Sequence, residues 1–311
     1  MHTDQNANIE EDAKALRKAM KGLGTDENAI IKIVANRTYP QRKAIYDSFR
    51  QQFDRNLISD LKSELGGKLE DVVVGLFTEP VEYDVIQLKK AMKGAGTDED
   101  SLIEILVSRP VPVLEQIKKK YKEKFKNELE NNVKSDTSGE TQRLLVSILQ
   151  CKRSQNRNPN PNDCAAKAQE LFKAGEGKKW GTDSDVFNKI FTLSSPAELI
   201  QIAQQYHKIA GKTILQAIDA EYSGNAKKTL KSIVYALISP SEYFATRVND
   251  AIKGFGTNDH LLIRVLITRD EIDMPQIKQY YKQLYGKDMV EAVKADIGGD
   301  YRKLMIELCS H

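Results

Sequence analysis

Long hydrophobic runs are missing from this 311-residue chain. The longest apolar stretch, Val72-Val73-Val74-Gly75-Leu76-Phe77, falls far short of the ~20 residues that span a bilayer. Any membrane association is therefore expected to be peripheral. Cysteine is scarce: Cys151, Cys164 and Cys309 are too few and too scattered for a disulfide framework, and a reduced, intracellular setting fits best. Charge of one sign is not in excess either, since the net charge is +3 and the lysines are interspersed with acids. A nucleic-acid binder concentrates its basic charge on one face or helix, so no nucleic-acid partner is expected. Clusters of basic residues next to an anchor are absent too. The opening segment, Met1-His-Thr-Asp-Gln-Asn-Ala-Asn, lacks the apolar core of a signal peptide, and His2 excludes N-myristoylation. His2, His207, His260 and His311 form no metal-ligand spacing. Gly211-Lys212-Thr213 mimics the end of a P-loop, but Tyr206 stands where a glycine is needed. No Asp-x-Asp-x-Asp-Gly run marks an EF-hand. An enzyme is not expected.

What the chain does have is a short string that returns. Met20-Lys21-Gly22-Leu23-Gly24-Thr25 recurs as Met92-Lys93-Gly94-Ala95-Gly96-Thr97 and as Ile252-Lys253-Gly254-Phe255-Gly256-Thr257. A degraded copy reads Lys178-Lys179-Trp180-Gly181-Thr182. Counting 39 positions on from each threonine reaches Glu64, Asp136, Glu221 and Asp296. Each acid opens a similar patch: Glu64-Leu-Gly-Gly, Asp136-Thr-Ser-Gly, Glu221-Tyr-Ser-Gly, Asp296-Ile-Gly-Gly. Successive threonines lie 72, 85 and 75 positions apart, room for several helices each.

Apolar residues such as Ile30, Ile31, Ile33 and Val34, then Ile45, Phe49 and Phe53, follow the helical period, with no sustained alternation of period two. In the first unit the spacing predicts helices near 9–21, 26–36, 40–52, 55–65 and 69–77. Thr25 is the expected N-cap of the second, with Asp26 and Glu27 in its first turn, where the helix dipole favours negative charge. Repeats are expected at 9–78, 81–150, 163–238 and 240–311, after a short tail at 1–8. A polar, proline-containing linker at 151–162 separates the two halves. The expected fold is all-α: four homologous five-helix repeats, two pairs joined by that linker.

Calcium takes 6–8 oxygen ligands, carbonyls and carboxylates included, in adaptable geometry. Glycines reach positive φ and let a tight loop turn its carbonyls toward one point. The first loop can offer carbonyls from Met20, Gly22 and Gly24, and Glu64 adds a bidentate carboxylate. That makes about five protein oxygens, one or two short of a full calcium shell. One carboxylate leaves net positive charge and vacant positions, which a phosphate oxygen can fill. Calcium affinity and phospholipid affinity then rise together. A lone Lys-Gly-x-Gly is often only a helix C-cap followed by a turn. Four copies locked to a distant acid are hard to explain by capping alone. The loop tips, Leu23, Ala95, Trp180 and Phe255, are all apolar. A lone tryptophan is often core, yet Trp180 follows two lysines in a loop, a setting that suits the lipid headgroup zone.

These residues resemble the annexin family over essentially the whole chain after the tail. The resemblance implies a curved disc of four five-helix repeats whose loops hold Ca²⁺ and dock on acidic, phosphatidylserine-rich phospholipid. It implies carbonyl roles for Met20, Gly22 and Gly24, for Met92, Gly94 and Gly96, and for Ile252, Gly254 and Gly256, with Glu64, Asp136, Glu221 and Asp296 completing each site. Thr25 with Glu27 is a candidate secondary calcium position. In repeat three the spacing is altered: Gly177 or Gly175 supplies the first carbonyl, followed by Lys179 and Gly181. Arg37, Arg109 and Arg269 lie 12 after their threonines, where the family usually keeps an arginine, but repeat three has Ser194.

The expected function is calcium-dependent, reversible binding to acidic membranes from the cytoplasm, on the inner face, without catalysis. Self-association on the membrane and export without a signal are left open. A helical-repeat scaffold for proteins is the rival reading, though it needs no loop-to-acid register. A calcium-permeable channel through Glu104 and Arg109 is a third, but buried ion pairs explain those residues as structure.

Overall fold

A computed structural model describes residues 8–22, 24–94, 96–178 and 181–310. Among the described residues every regular element is helical, and the helices fall into four sets of five. Repeat one holds α1 (Ile9–Ala19), α2 (Glu27–Ala35), α3 (Tyr39–Phe53), α4 (Leu57–Glu64) and α5 (Gly67–Phe77). Repeat two holds α6 (Pro80–Ala91), α7 (Glu99–Ser108), α8 (Val111–Phe125), α9 (Leu129–Asp136) and α10 (Gly139–Leu149). Repeat three holds α11 (Pro161–Ala174), α12 (Ser184–Leu193), α13 (Pro196–Ala210), α14 (Ile214–Glu221) and α15 (Gly224–Ile238). Repeat four holds α16 (Pro240–Ile252), α17 (Asp259–Arg269), α18 (Met274–Tyr285), α19 (Met289–Asp296) and α20 (Gly299–Cys309). In repeat one the expected ends lie within two residues of the observed ones.

Local chemistry fixes these boundaries. α3 starts in a capping box: the Gln41 N–H donates to Thr38 Oγ1 while the Thr38 N–H donates to Gln41 Oε1. α13 repeats the device with Ser195 and Glu198. The third helix of every repeat ends on a left-handed residue: Asp54, Lys126, Gly211 and Gly286. One expected cap is corrected. The N-cap of α2 is Asp26, whose carboxylate accepts from the Ala29 N–H at 3.0 Å, and not Thr25. The Thr25 hydroxyl points elsewhere, as described below.

The repeats form two compact units, and these are not sequential halves. One joins the chain up to Tyr83 with Phe244 onward; the other is Asp84–Tyr243. Repeat one thus packs with repeat four, α2 against α20 and α5 against α17 and α20. Repeat two packs with repeat three through α7 and α15 and through α10 and α12. The polar segment at 151–162 lies inside the second unit instead of between paired halves. It is also tied down. The Ser154 N–H donates to the Leu193 carbonyl at 2.7 Å, and Ser195 Oγ donates to the Asn156 carbonyl at 2.7 Å.

The four repeats solve one buried electrostatic problem in three ways. Arg37 bonds Asp12 through Nε and Nη2, and Arg109 bonds Asp84 the same way at 2.7 and 2.8 Å. In repeat four Phe244 stands where that aspartate would be. Arg269 lies over its ring at 4.4 Å and takes its charge partner from Asp273. Repeat three inverts the signs. Lys167 on its first helix meets Glu198 at 2.8 Å, and burial notwithstanding, the bonds from Lys167 and the Ser195 N–H hold that carboxyl at about 2. Ser194 replaces the arginine, and Arg153 from the connector reaches in to donate to the Phe191 and Ser194 carbonyls at 3.0 and 3.1 Å. Burial pushes the Arg153 guanidinium down to about 10.

The Arg109–Asp84 pair is the most buried of these, with side chains 8% and 5% exposed. Removing one partner strands a buried charge, so Arg109→Met is expected to lower unfolding stability by about 3–5 kcal/mol. Asp84→Leu/Arg109→Met is expected to cost clearly less than that. Urea unfolding of both variants measures the difference; equal losses would mean that the charge is not what the single variant strands.

Candidate calcium and membrane site

The loop between the first and second helices is closed by the same bond in all four repeats. The N–H of Asp26 donates to the Ala19 carbonyl at 2.9 Å, Asp98 to Ala91 at 2.8 Å, Asp183 to Ala174 at 2.8 Å and Asn258 to Ala251 at 2.7 Å. These four donors cap the second helix of each repeat. Between donor and acceptor lie residues 20–25, 92–97 and 252–257, but 175–182 in repeat three, whose loop is two residues longer.

Turning the chain back within six residues forces glycines into the left-handed half of φ space. Gly22 and Gly24 sit at +120° and +87°, Gly94 and Gly96 at +107° and +102°, and Gly254 and Gly256 at +107° and +84°. A Cβ at any of them would meet nothing within 4 Å, so the backbone angle and not space demands glycine. The longer loop of repeat three is less strained: Gly181 is at +68°, while Gly175 is at −109°. Among the described residues, the carbonyls of Met20, Gly22 and Gly24 accept no backbone hydrogen bond. The same holds for Met92, Gly94 and Gly96, and for Ile252, Gly254 and Gly256. The Gly175 carbonyl, in contrast, accepts from the Lys178 N–H at 2.9 Å.

The distant acids arrive at these loops through the threonines. Thr25 Oγ1 donates to Glu64 Oε2 at 2.7 Å. Thr182 Oγ1 donates to Glu221 Oε2, and Thr257 Oγ1 to Asp296 Oδ2. In repeat two Thr97 Oγ1 donates instead to the Asp136 carbonyl at 3.0 Å. The 39-residue register is thus a direct bond between the end of the loop and the end of the fourth helix. In repeats one, three and four the hydroxyl engages one carboxylate oxygen, and the other keeps its acceptor capacity. Glu27 is the first residue of α2, two positions after Thr25.

Repeat three carries an additional acid that sequence reasoning missed. Glu176, within the enlarged loop, accepts from Tyr206 Oη at 2.8 Å and pairs with Lys212 at 2.9 Å. Burial and the adjacent Glu176 carboxylate push the Tyr206 hydroxyl well above its ordinary range. A Cβ on Gly175 would lie 3.5 Å from the Glu221 carboxyl carbon. The only signal for this in the sequence is the extra length of Gly175-Glu-Gly-Lys-Lys-Trp-Gly181. Of the tip residues, Phe255 is fully exposed at 111%. Leu23, Ala95, Lys179 and Trp180 lie outside the described residues. A cleft of ≈ 700 Å³ opens beside the fourth loop, lined by Ile252, Lys253, Tyr285, Lys287 and Asp296 among others.

The donors gathered here are oxygens only: carbonyls, one carboxylate and a hydroxyl. That set fits a hard cation such as calcium and not zinc, which prefers sulfur and imidazole. Among the described residues no group of three or more His, Cys, Asp or Glu is placed to hold a metal.

A family model described as annexin matches residues 11–76, 83–148, 166–233 and 243–308. The chain belongs to the annexin family. It is 44% identical to human annexin A4 over 302 residues, covering 97% of this chain and 94% of that one. The solved structure of annexin III matches with a TM-score of 0.94 at 35% identity, over 98% of this chain and 95% of that chain. A calcium-bound annexin (Sm)1 matches with a TM-score of 0.88 at 30% identity, over 99% and 92%. As an annexin, the chain has calcium as its ligand and calcium-dependent phospholipid binding as its general activity. Among the described residues no helix is long and apolar enough to cross a membrane.

The strained glycines give a direct test of the loop geometry. Gly96→Ala adds a Cβ in open space but at φ +102°, which is expected to cost roughly 1–2 kcal/mol. Thermal unfolding in chelator should show that loss, whereas Gly177→Ala, which meets the Lys173 backbone at 3.1 Å, tests crowding instead. An unchanged melting temperature for Gly96→Ala would contradict the assigned backbone conformation.

Proposed function

We propose that this annexin docks reversibly on phosphatidylserine-rich membranes, from the cytoplasm and on their inner face, through its four interhelical loops. The observation that carries this reading is the fourfold meeting of a glycine loop with an acid 39 residues on, joined by a threonine. Met20, Gly22 and Gly24 with Glu64 would hold one ion, and Met92, Gly94 and Gly96 with Asp136 a second. Ile252, Gly254 and Gly256 with Asp296 would hold another, and Gly177, Lys179 and Gly181 with Glu221 the one in repeat three. Thr25 and Glu27 would form a secondary position. Calcium bound there would supply positive charge with coordination positions open to a phosphate oxygen.

The protein's own residues set the rest. One carboxylate per loop leaves the site short of negative charge, so an anionic headgroup completes it where a neutral one does not. Thr25 fixes Glu64 through one oxygen and leaves the second free to act. Exposed Phe255 extends from the fourth loop as an apolar contact for the interface, and Leu23, Ala95 and Trp180 stand at the corresponding positions of the sequence. Several loops acting together add avidity, since each later contact is made at high effective concentration.

Co-sedimentation with acidic and with neutral vesicles, in calcium and in chelator, tests this. Retention is expected on acidic vesicles in calcium alone; equal retention in chelator would refute the bridge. Glu64→Gln with Asp296→Asn is expected to raise the calcium needed for half-maximal retention by about tenfold, since ligand charge sets affinity in such sites. A protein-binding scaffold would be indifferent to those changes.

Phe255 is tested separately. Burying a phenylalanine in an apolar phase is worth about 1.5–3 kcal/mol, so Phe255→Ser is expected to weaken vesicle binding roughly tenfold or more. Calcium binding in solution should stay unchanged. Vesicle affinity equal to that of the parent protein would remove the tip from the mechanism.

A further inference from the structure

Between α2 and α20, where repeats one and four pack, runs a groove of ≈ 660 Å³ that the calcium loops do not use. Lys32, Lys294, Arg302 and Lys303 line it against a single acid, Glu307, with Ile31 and Ile306 among its apolar lining. Asn28 and Asn36 lie at the start and end of α2, so the groove follows that helix along its length. Lys303 Nζ donates to Asn28 Oδ1 at 2.9 Å, bringing the two helices together at one point.

The cations are lightly held. Lys303 also meets Asp300 at 2.8 Å and Lys294 meets Glu291 at 3.4 Å, both on exposed helix surface. Such pairs contribute little and re-partner readily. Lys32 and Arg302 have no carboxylate within ion-pair distance among the described residues.

The second unit contains the same seam with different electrostatics. Between α10 and α12 lies a groove of ≈ 460 Å³ lined by Arg143, Lys152, Lys189 and Asp185. Asp185 stands three residues after its threonine, as Asn28 does, and Arg143 occupies the register of Lys303. There Arg143 pairs with both Asp185 and Glu140. The first seam has Asn28 and Arg302 where the second has Asp185 and Gln142, so the first is the more cationic and its Lys303 lacks the cross-helix carboxylate that Arg143 meets.

We infer that the α2–α20 groove is a binding site for a small, multiply phosphorylated anion such as a phosphorylated inositol ring. Its volume lies within the range of small-ligand pockets, and four cations around one open groove suit several phosphates at once. Lys32, Arg302 and Lys303 bind the phosphates, while Asn28 offers Lys303 an amide oxygen in place of a second carboxylate. The site needs no calcium, so it stands independently of the membrane mechanism.

Calorimetric titration of the full chain with inositol hexakisphosphate in chelator tests it. One ion per chain is expected, with affinity falling as salt rises. Arg302→Glu/Lys303→Glu should weaken binding about tenfold or more. Asn28→Asp, which imports the acid of the second seam into a helix first turn that tolerates it, should weaken it about fivefold while leaving the melting temperature unchanged. Arg143→Glu should leave it intact. Binding that survives both α2–α20 variants, or several ions per chain, would overturn the assignment. Vesicles of neutral lipid doped with phosphatidylinositol bisphosphate, again in chelator, separate the sources. Retention lost in Asn28→Asp assigns the groove to a headgroup; soluble binding without retention assigns it to the free anion.

Discussion

Everything at the candidate site depends on a short loop held shut by a single backbone bond. The N–H of Asp26, Asp98, Asp183 or Asn258 reaches back to the carbonyl of an alanine at or one residue before the end of the preceding helix. Each acceptor is nearly or fully buried, so the bond is shielded from water and the two helices are locked at fixed spacing. With three of the four loops limited to six residues, the chain cannot turn without left-handed glycines. Among the described residues their carbonyls then accept no backbone hydrogen bond. On the proposed reading, the capacity to hold a cation follows from this closure, because the strain that makes the loop costly to form is what turns its carbonyls outward.

The acid is delivered by a second constraint. In three repeats the threonine hydroxyl meets the carboxylate directly, and in repeat two it meets the Asp136 backbone carbonyl. That bond explains why the register never slips. An insertion between threonine and acid would pull the fourth helix away from the loop. An insertion before the threonine does no such harm. Repeat three has its two added residues there, and Glu221 still reaches Thr182.

Helical period, repeat number and the loop-to-acid register were all legible in the sequence because each is local or strictly periodic. The N-cap was misread because Thr25 and Asp26 are both good caps, and only the fold reveals that the threonine hydroxyl is spent on Glu64. The pairing of repeats was not legible either. The four units carry similar apolar stripes, so nothing local tells α2 to seek α20 and not a helix of repeat two. Proline and asparagine made 151–162 read as a free linker. In fact Ser194 lacks the charge its counterparts carry, and Arg153 enters from that segment to fill the gap. A missing arginine at one position was the trace of another 41 residues earlier, and no spacing rule connects them.

Repeat three departs in ways that reinforce one another. Reversing the buried pair to Lys167 and Glu198 removes the need for an arginine at Ser194 and frees that place for the connector. The longer loop relaxes its glycines and admits Glu176, which Tyr206 and Lys212 then hold. On the proposed reading, this loop starts with a second carboxylate already committed to a lysine, whereas the other three start with backbone oxygens free. A cation entering repeat three must compete with Lys212 for Glu176 or leave that acid where it is. Entry into the other loops requires no such exchange. The four sites therefore differ in the work needed to fill them, even though one threonine and one acid mark them all.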